Sequence, residues 1–230
     1  MLDSASTFLG LSATLWQSLG LTLKLAAITT LVLGLVGLPL AHWLNTTRSR
    51  FAAIIETIST LPIVLPPTVI GFYLLVSFSP NHPPGSWWVA LTGSPLSFSF
   101  TGLVIASVFY SLPFAVQPFQ AALRGVPPEL IDAGRALGAK PFRVWWRVHV
   151  PLAWRGIVAG LTLGFAHTLG EFGVVLMIGG SIPGVTRVAS IALYDEVQKL
   201  NYTQAHAFAA ILLVLSFVLL LIVTLLQRRR

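Results

Sequence analysis

The sequence predicts an all-α polytopic membrane protein with about five membrane-spanning helices, and three observations carry that reading. Of 230 residues, 55% are hydrophobic and 9% charged, where an average soluble domain is about 25% charged. The mean hydropathy of +0.83 reflects apolar residues gathered into long uncharged runs. A run of roughly 20 residues crosses a hydrocarbon core of about 30 Å as a helix. The third observation is that basic residues cluster in alternate gaps between these runs. Absence of cysteine excludes disulfide frameworks and thiolate metal sites. The net charge of +7 and pI of about 10.6 do not indicate nucleic acid, because most of the positive charge flanks apolar runs. Met1 to Gly20 holds Asp3, and no basic residue precedes Lys24, a pattern unlike a cleavable signal.

The first uncharged run is Leu25 to Leu44, preceded by a mixed segment, Leu11 to Lys24, that lies at the interface or extends the helix. The second is Thr57 to Ser79, the third about Phe100 to Leu123, the fourth Ile157 to Ile178, and the fifth Ala207 to Leu226. Pro62, Pro66 and Pro67 interrupt the second run, and Pro113 and Pro118 the third. Proline in a spanning helix removes a ladder hydrogen bond, so both helices are expected to be kinked or locally unwound.

Orientation follows from Lys and Arg. The gaps after runs one and three, with the C-terminal end, hold Arg48, Arg50, Arg124, Arg135, Lys140, Arg143, Arg147, Arg155 and Arg228 to Arg230, which is 11 of the 14 basic residues. Lys24, Arg187 and Lys199 remain for the other side. The positive-inside rule then places the N-terminus outside and the C-terminus in the cytoplasm. Trp43, Trp87, Trp88 and Trp154 fall near run ends, where lipid headgroups favour the amphipathic indole.

The segment from Arg124 to Arg155 is long for a connection and internally organised. Pro127-Pro128-Glu129 reads as a helix start, with proline in the first turn and an acid at the positive end of the dipole. Leu130 to Ala139 reads as a short helix with Leu130, Ala133, Gly134 and Leu137 on one face. Gly138 and Pro141 supply a stop. Phe142 to Val150, rich in Trp and Arg, reads as a second short segment ending at Pro151. An amphipathic helix resting on the membrane is the plainer alternative. Ala133 and Gly134 argue against it, since a lipid-facing stripe uses large apolar residues.

Asp132-Ala133-Gly134, three residues, Gly138, nine residues, then Val148-His149-Val150-Pro151 resembles the cytoplasmic signature of binding-protein-dependent ABC importer permeases. That signature runs Glu-Ala-Ala, three residues, Gly, nine residues, Ile-x-Leu-Pro, and in the family it forms the coupling helix docked on the ATPase. Asp132 stands for the glutamate, Ala133, Gly138 and Pro151 match, and Val148 and Val150 are conservative. Gly134 departs from the second alanine, at about 1 kcal/mol of helix propensity. The resemblance assigns ATPase coupling to these residues and Glu129. Leu61 to Val69, Gly170-Glu171-Phe172-Gly173 and Gly179 to Arg187 narrow the likeness to the molybdate permeases, near the sulfate and tungstate permeases. It implies one transmembrane domain of the type I importer permease fold over 1–230, with a membrane-embedded core at 12–227 and a cytoplasmic coupling loop at 124–155. It further implies a second copy of the chain, a separate ATP-binding subunit, an extracytoplasmic oxyanion-binding protein and a lipid environment in the inner (plasma) membrane. The implied substrate is molybdate, with sulfate and tungstate as alternatives.

No catalytic or cofactor-binding pattern is present, and enzyme activity is not expected. Gly134 to Lys140 offers glycines and a lysine, but a phosphate-cradling loop needs Gly, four residues, then Gly-Lys-Ser/Thr, and Pro141 follows Lys140. ATP is therefore expected on the partner subunit. His42, His82, His149, His167 and His206 lack ligand-like spacing and read as satisfied or interfacial. Glu171 is the acid inside an apolar run, where an ionised carboxylate is expensive. A structural or gating role paired with a backbone amide, a serine or Arg187 is expected, with an interfacial site or a proton relay as alternatives. Gly156, Gly160 and Gly164 mark one face of run four and suit either intrachain packing or a dimer contact. A passage behind a capture protein must release its anion, consistent with the lack of Lys or Arg in runs two to four. Thr60 and Thr68 are the expected weak donors, with Pro66, Pro67, Gly170, Glu171 and Gly173 as pathway or gate candidates. A stand-alone secondary transporter would call for inverted repeats, and none is evident.

Overall fold

The first run closes into one long helix, α1 (Ala13–Thr46), in a computed structural model that describes residues 12–228. Readings that fall on Met1 to Leu11, and on Arg229 and Arg230, lie outside the described residues. At about 1.5 Å per residue, the 34 residues of α1 exceed what a bilayer core needs, so the mixed segment extends the helix. Its polar side chains are absorbed locally: Ser18 Oγ donates to Thr14 O and Thr22 Oγ1 to Ser18 O.

The second run is two helices, α2 (Phe51–Val64) and α3 (Pro67–Phe78), bent by 119°. The break is sharper than a kink, and the tandem prolines explain it. Pro66 and Pro67 remove adjacent backbone donors, and a residue before proline is pushed out of the α region. Leu65 and Pro66 accordingly take ψ of 139° and 137°, after which Pro67 opens α3 at a position that needs no N–H. The pair starts beside Arg50, and Phe78 at its end is buried in one cluster with Leu96 and Leu103.

A short helix, α4 (Gly85–Thr92), leads to α5 (Phe100–Arg124). Ser99 caps α5, its Oγ accepting from Gly102 N at 3.0 Å. α5 is not unwound at Pro113 and Pro118 but continues through both as one helix. Each proline stands alone and deletes one bond, and packing against α1 and α8 on either side supports the rest of the ladder.

The loop after α5 forms α6 (Pro128–Ala136) and α7 (Pro141–Val144), then a π-helical turn at Trp145–His149 that runs into α8 (Val150–Gly170). The second loop segment was expected to stop at Pro151; instead it is the first part of a helical rod from Pro141 to Gly170. The wide turn explains this. Val150 N donates to Trp145 O, five residues back, which re-registers the ladder just before a residue that has no donor. Run four also departs from expectation. It breaks at Glu171 and Phe172, and α9 (Gly173–Gly179) follows, then α10 (Ala189–Gln198) and α11 (Tyr202–Arg228).

Among the described residues, α1, α5, the Pro141–Gly170 rod and α11 are long and apolar enough to span, and the α2–α3 pair counts as a fifth where its two limbs are taken as one span. The inner core has α5 between α1 and α8, with Leu33, Ala115, Val116 and Phe119 sealed between them. The glycine stripe on α8 serves this packing within the chain. A Cβ on Gly156 would lie 2.3 Å from Ala122 Cβ, one on Gly160 2.7 Å from the Phe119 ring, and one on Gly164 2.8 Å from Leu33. At the end away from the arginine-rich loop, Arg187 pairs with Asp195 at 2.9 Å and Lys199 with Glu196 at 2.8 Å, pinning the α9–α10 connection.

Candidate functional site

Two regions gather the residues singled out by sequence, one at each level of the bundle. At the arginine-rich end, α6 starts on Pro128 with Glu129 in its first turn, and Gly138 closes it at φ +73°. The helix has an inward and an outward face. Ile131 packs into the inner core, and Gly134 is half-buried, with its missing Cβ 3.5 Å from Val144 and 3.9 Å from Val148. Gly134 thus faces its own chain at ordinary contact distance. The outward face carries Leu130, Ala133 and Leu137, the last 88% exposed. Phe142, 75% exposed, stands nearby with its ring edge-on to Trp146. Asp132 is exposed and pairs with Arg135 at 3.4 Å, a contact worth little in water. Val148 and Val150 are half-buried and Pro151 is exposed, all within the rod that supports α6.

A hydrogen-bonded chain ties this end to the broken helix pair. Arg124 Nε donates to Asn45 Oδ1 at 2.8 Å, Asn45 Nδ2 to Gln120 O at 3.0 Å, and Gln120 Nε2 to Glu56 Oε1 at 3.2 Å. Glu56 sits on α2, two turns before the bend that delivers Pro67.

Where α8 breaks, a cavity of about 540 Å³ opens between α3, α5 and the α8–α9 junction. Pro67, Thr68, Gly170, Glu171 and Gly173 line it, joined by Tyr110, Ala166, His167 and Phe172. The contact is close because Gly173 has no side chain: a Cβ there would sit 2.8 Å from Pro67 Cβ. Thr60 and Pro66 are not in the lining. Thr60 Oγ1 is spent on Glu56 O at 2.9 Å, and Pro66 is exposed at the bend.

Glu171 is 4% exposed, and neither carboxyl oxygen has a hydrogen-bond partner. Arg187, offered by sequence as a partner, is committed to Asp195 and Glu196. The Ser107 hydroxyl is likewise buried and makes no hydrogen bond among the described residues. The Glu171 backbone is anchored, its carbonyl accepting from Ser190 Oγ at 2.6 Å.

Sequence reading left out Tyr110 and took His167 as a satisfied or interfacial histidine. His167 stacks on Phe114 with ring centroids 3.8 Å apart and lies 4.8 Å from the Tyr110 ring. Its Nδ1 is 2.9 Å from Ser111 Oγ. The available signal was the four-residue spacing of His167 and Glu171, which puts both on one side of the same helix end. Among the described residues no three His, Asp or Glu side chains come together as a metal site.

The sequence pattern of the family described as "Binding-protein-dependent transport system inner membrane component" matches residues 33–230. The molybdenum transport system permease protein ModB of Azotobacter vinelandii is 48% identical over 200 residues, 87% of this chain and 88% of that one. ModB of Escherichia coli K12 is 36% identical over 80% of each chain. The sulfate transport system permease protein CysT of the same organism is 34% identical over 90% of this chain and 75% of its own. Among solved structures, the chain resembles the inward-facing MetNI methionine ABC transporter (TM-score 0.71, 19% identity, 93% of this chain and 96% of that one). It also resembles a bacterial ABC transporter that imports the acidic polysaccharide alginate (TM-score 0.77, 19% identity, 95% and 80%). These likenesses carry the type I importer permease fold, and the matched sequence pattern carries the affiliation: the chain belongs to the family of binding-protein-dependent transport system inner membrane components.

Proposed function

We propose that this chain is the molybdate-conducting permease of an ATP-driven importer. It works as a pair of identical subunits with two copies of a separate ATPase and an extracytoplasmic oxyanion-binding protein. The 48% identity to the Azotobacter vinelandii molybdenum permease across nearly the whole of both chains supports the substrate reading most strongly. The sulfate permease, at 34%, is the nearer competitor, and tungstate shares molybdate's shape and charge.

The outward face of α6, with Leu130, Ala133 and Leu137, is the docking element for the ATPase. Its apolar, short side chains suit a groove on another protein, and Asp132, Glu129 and Gly138 set its ends. Val148, Val150 and Pro151 belong to the rod that holds it. Movement of α6 reaches the membrane through α5, since Gln120 is bonded to Glu56 and α2 ends at the bend carrying Pro67 and Thr68. The cavity at Thr68, Gly170, Glu171 and Gly173 is a weakly binding station on the anion path. No Lys or Arg lines it, and a path that must release its ion avoids fixed opposite charge.

The test is transport by the purified complex in proteoliposomes, with its ATPase and binding protein, and with molybdate and sulfate supplied together. ATP-dependent accumulation of molybdate in preference to sulfate is expected. Accumulation of sulfate at an equal or higher rate would overturn the substrate reading.

A further inference from the structure

The hydroxyls behind His167 fix which of its nitrogens is free. Thr168 Oγ1 donates its single proton to Gly164 O at 2.9 Å. Its 3.0 Å contact with Ser111 Oγ then needs Ser111 as donor, which uses the only Ser111 proton. The 2.9 Å contact between Ser111 Oγ and His167 Nδ1 is left with Nδ1–H as donor. The ring is thus locked in one orientation, stacked on Phe114, with Nε2 as the nitrogen that makes no hydrogen bond within the chain. His167 lines the cavity at the α8 break, opposite the first turn of α3.

That first turn offers the complementary groups. Pro67 at its start has no N–H, while the amides of Val69 and Ile70 are used on Pro66 O, so Thr68 brings an amide and a hydroxyl to the cavity wall. Tyr110 adds a phenolic hydroxyl. Beneath them lies the carboxyl of Glu171, buried and without a hydrogen-bond partner.

We propose that this cavity is a contact site for tetrahedral oxyanions, in which His167 Nε2, Thr68 and Tyr110 hold the anion from three different helices. His167 takes a proton from solvent at Nε2 as the anion arrives, giving a charge-assisted hydrogen bond, and returns it when the anion leaves. The positive charge exists only while the site is filled, which reconciles recognition of a dianion with the absence of Lys and Arg. Ser111 and Thr168 are positioning residues that keep Nε2 turned to the cavity. The inference rests on the permease reading above and names the groups that hold the anion in that cavity.

The chain has no cysteine, and Gly170 lines the cavity with open space where a Cβ would stand, so Gly170→Cys is a clean reporter. In the detergent-purified complex with its ATPase, the rate at which a neutral thiol reagent labels this position is followed against molybdate, sulfate and chloride. The two tetrahedral dianions are expected to slow labelling, and chloride is not. His167→Ala should raise the oxyanion concentration needed for half protection by roughly tenfold, the loss expected for a hydrogen bond to a charged group. Thr68→Val, at an exposed position, should weaken protection in the same direction and serves if His167→Ala fails to assemble. Labelling that neither dianion slows, or protection that survives both substitutions undiminished, overturns the site. Protection by sulfate without molybdate supports the site while counting against molybdate as the transported anion.

Discussion

Gly160 shows how one missing side chain holds two helices together. The Cβ of any other residue there would stand 2.7 Å from the Phe119 ring and 2.9 Å from Ala115 O, closer than packed atoms tolerate. Phe119 is fully buried in the inner core, so it has no solvent to move into. Gly160→Val is expected to destabilise the detergent-purified protein by about 1–3 kcal/mol through overpacking. Gly170→Ala, with nothing within 4 Å of its would-be Cβ, should leave the thermal midpoint nearly unchanged. Equal melting of the two variants would show that the stripe does not set the α5–α8 distance. From sequence, three glycines at intervals of four announced close helix approach; which helix approached was not legible, because the partners Ala122, Phe119 and Leu33 lie on distant stretches of chain. Glu171 makes the same point. Its oddity in an apolar run was plain, whereas its neighbours Ser107 and the Thr68 turn come from α5 and α3.

At the scale of elements, prolines decide shape by context. The tandem pair at Pro66 and Pro67 breaks a helix, while Pro113 and Pro118 sit inside a continuous one. The loop between α5 and α8 shows a similar dependence. Pro127-Pro128-Glu129 marked the start of α6, yet helical periodicity alone does not say which face turns inward. Gly134 turns toward Val144 and Val148, and Leu137 turns out. The docking test accordingly belongs on Leu137. Leu137→Asp should abolish co-purification of the ATPase and anion uptake while membrane insertion stays normal, since the side chain contributes nothing to the folded core. Gly134→Trp would instead lift α6 off its own support. Full ATPase association by Leu137→Asp would show that this face is not the docking surface.

For the whole molecule, the distribution of basic residues predicts the sidedness. Asn81→Cys, beyond α3, should react with an impermeant thiol reagent applied from outside intact cells, and Lys140→Cys, between α6 and α7, should not. The reverse labelling pattern would invert the topology and remove α6 from the cytoplasm. The mass of the intact complex provides a second check, with two copies of this chain and two of the ATPase expected.

The apolar runs and the basic gaps that alternate with them were set by local composition and spacing, which a single sequence carries in full. Hydrophobic runs must be buried in lipid wherever they occur, and arginine must stay out of it. The break in α8, the one-piece rod through Pro151, the inward face of α6 and the cavity that joins Thr68 to His167 were decided by tertiary packing. Each depends on which helices meet at close range, and that is settled by shape complementarity between residues far apart in the chain.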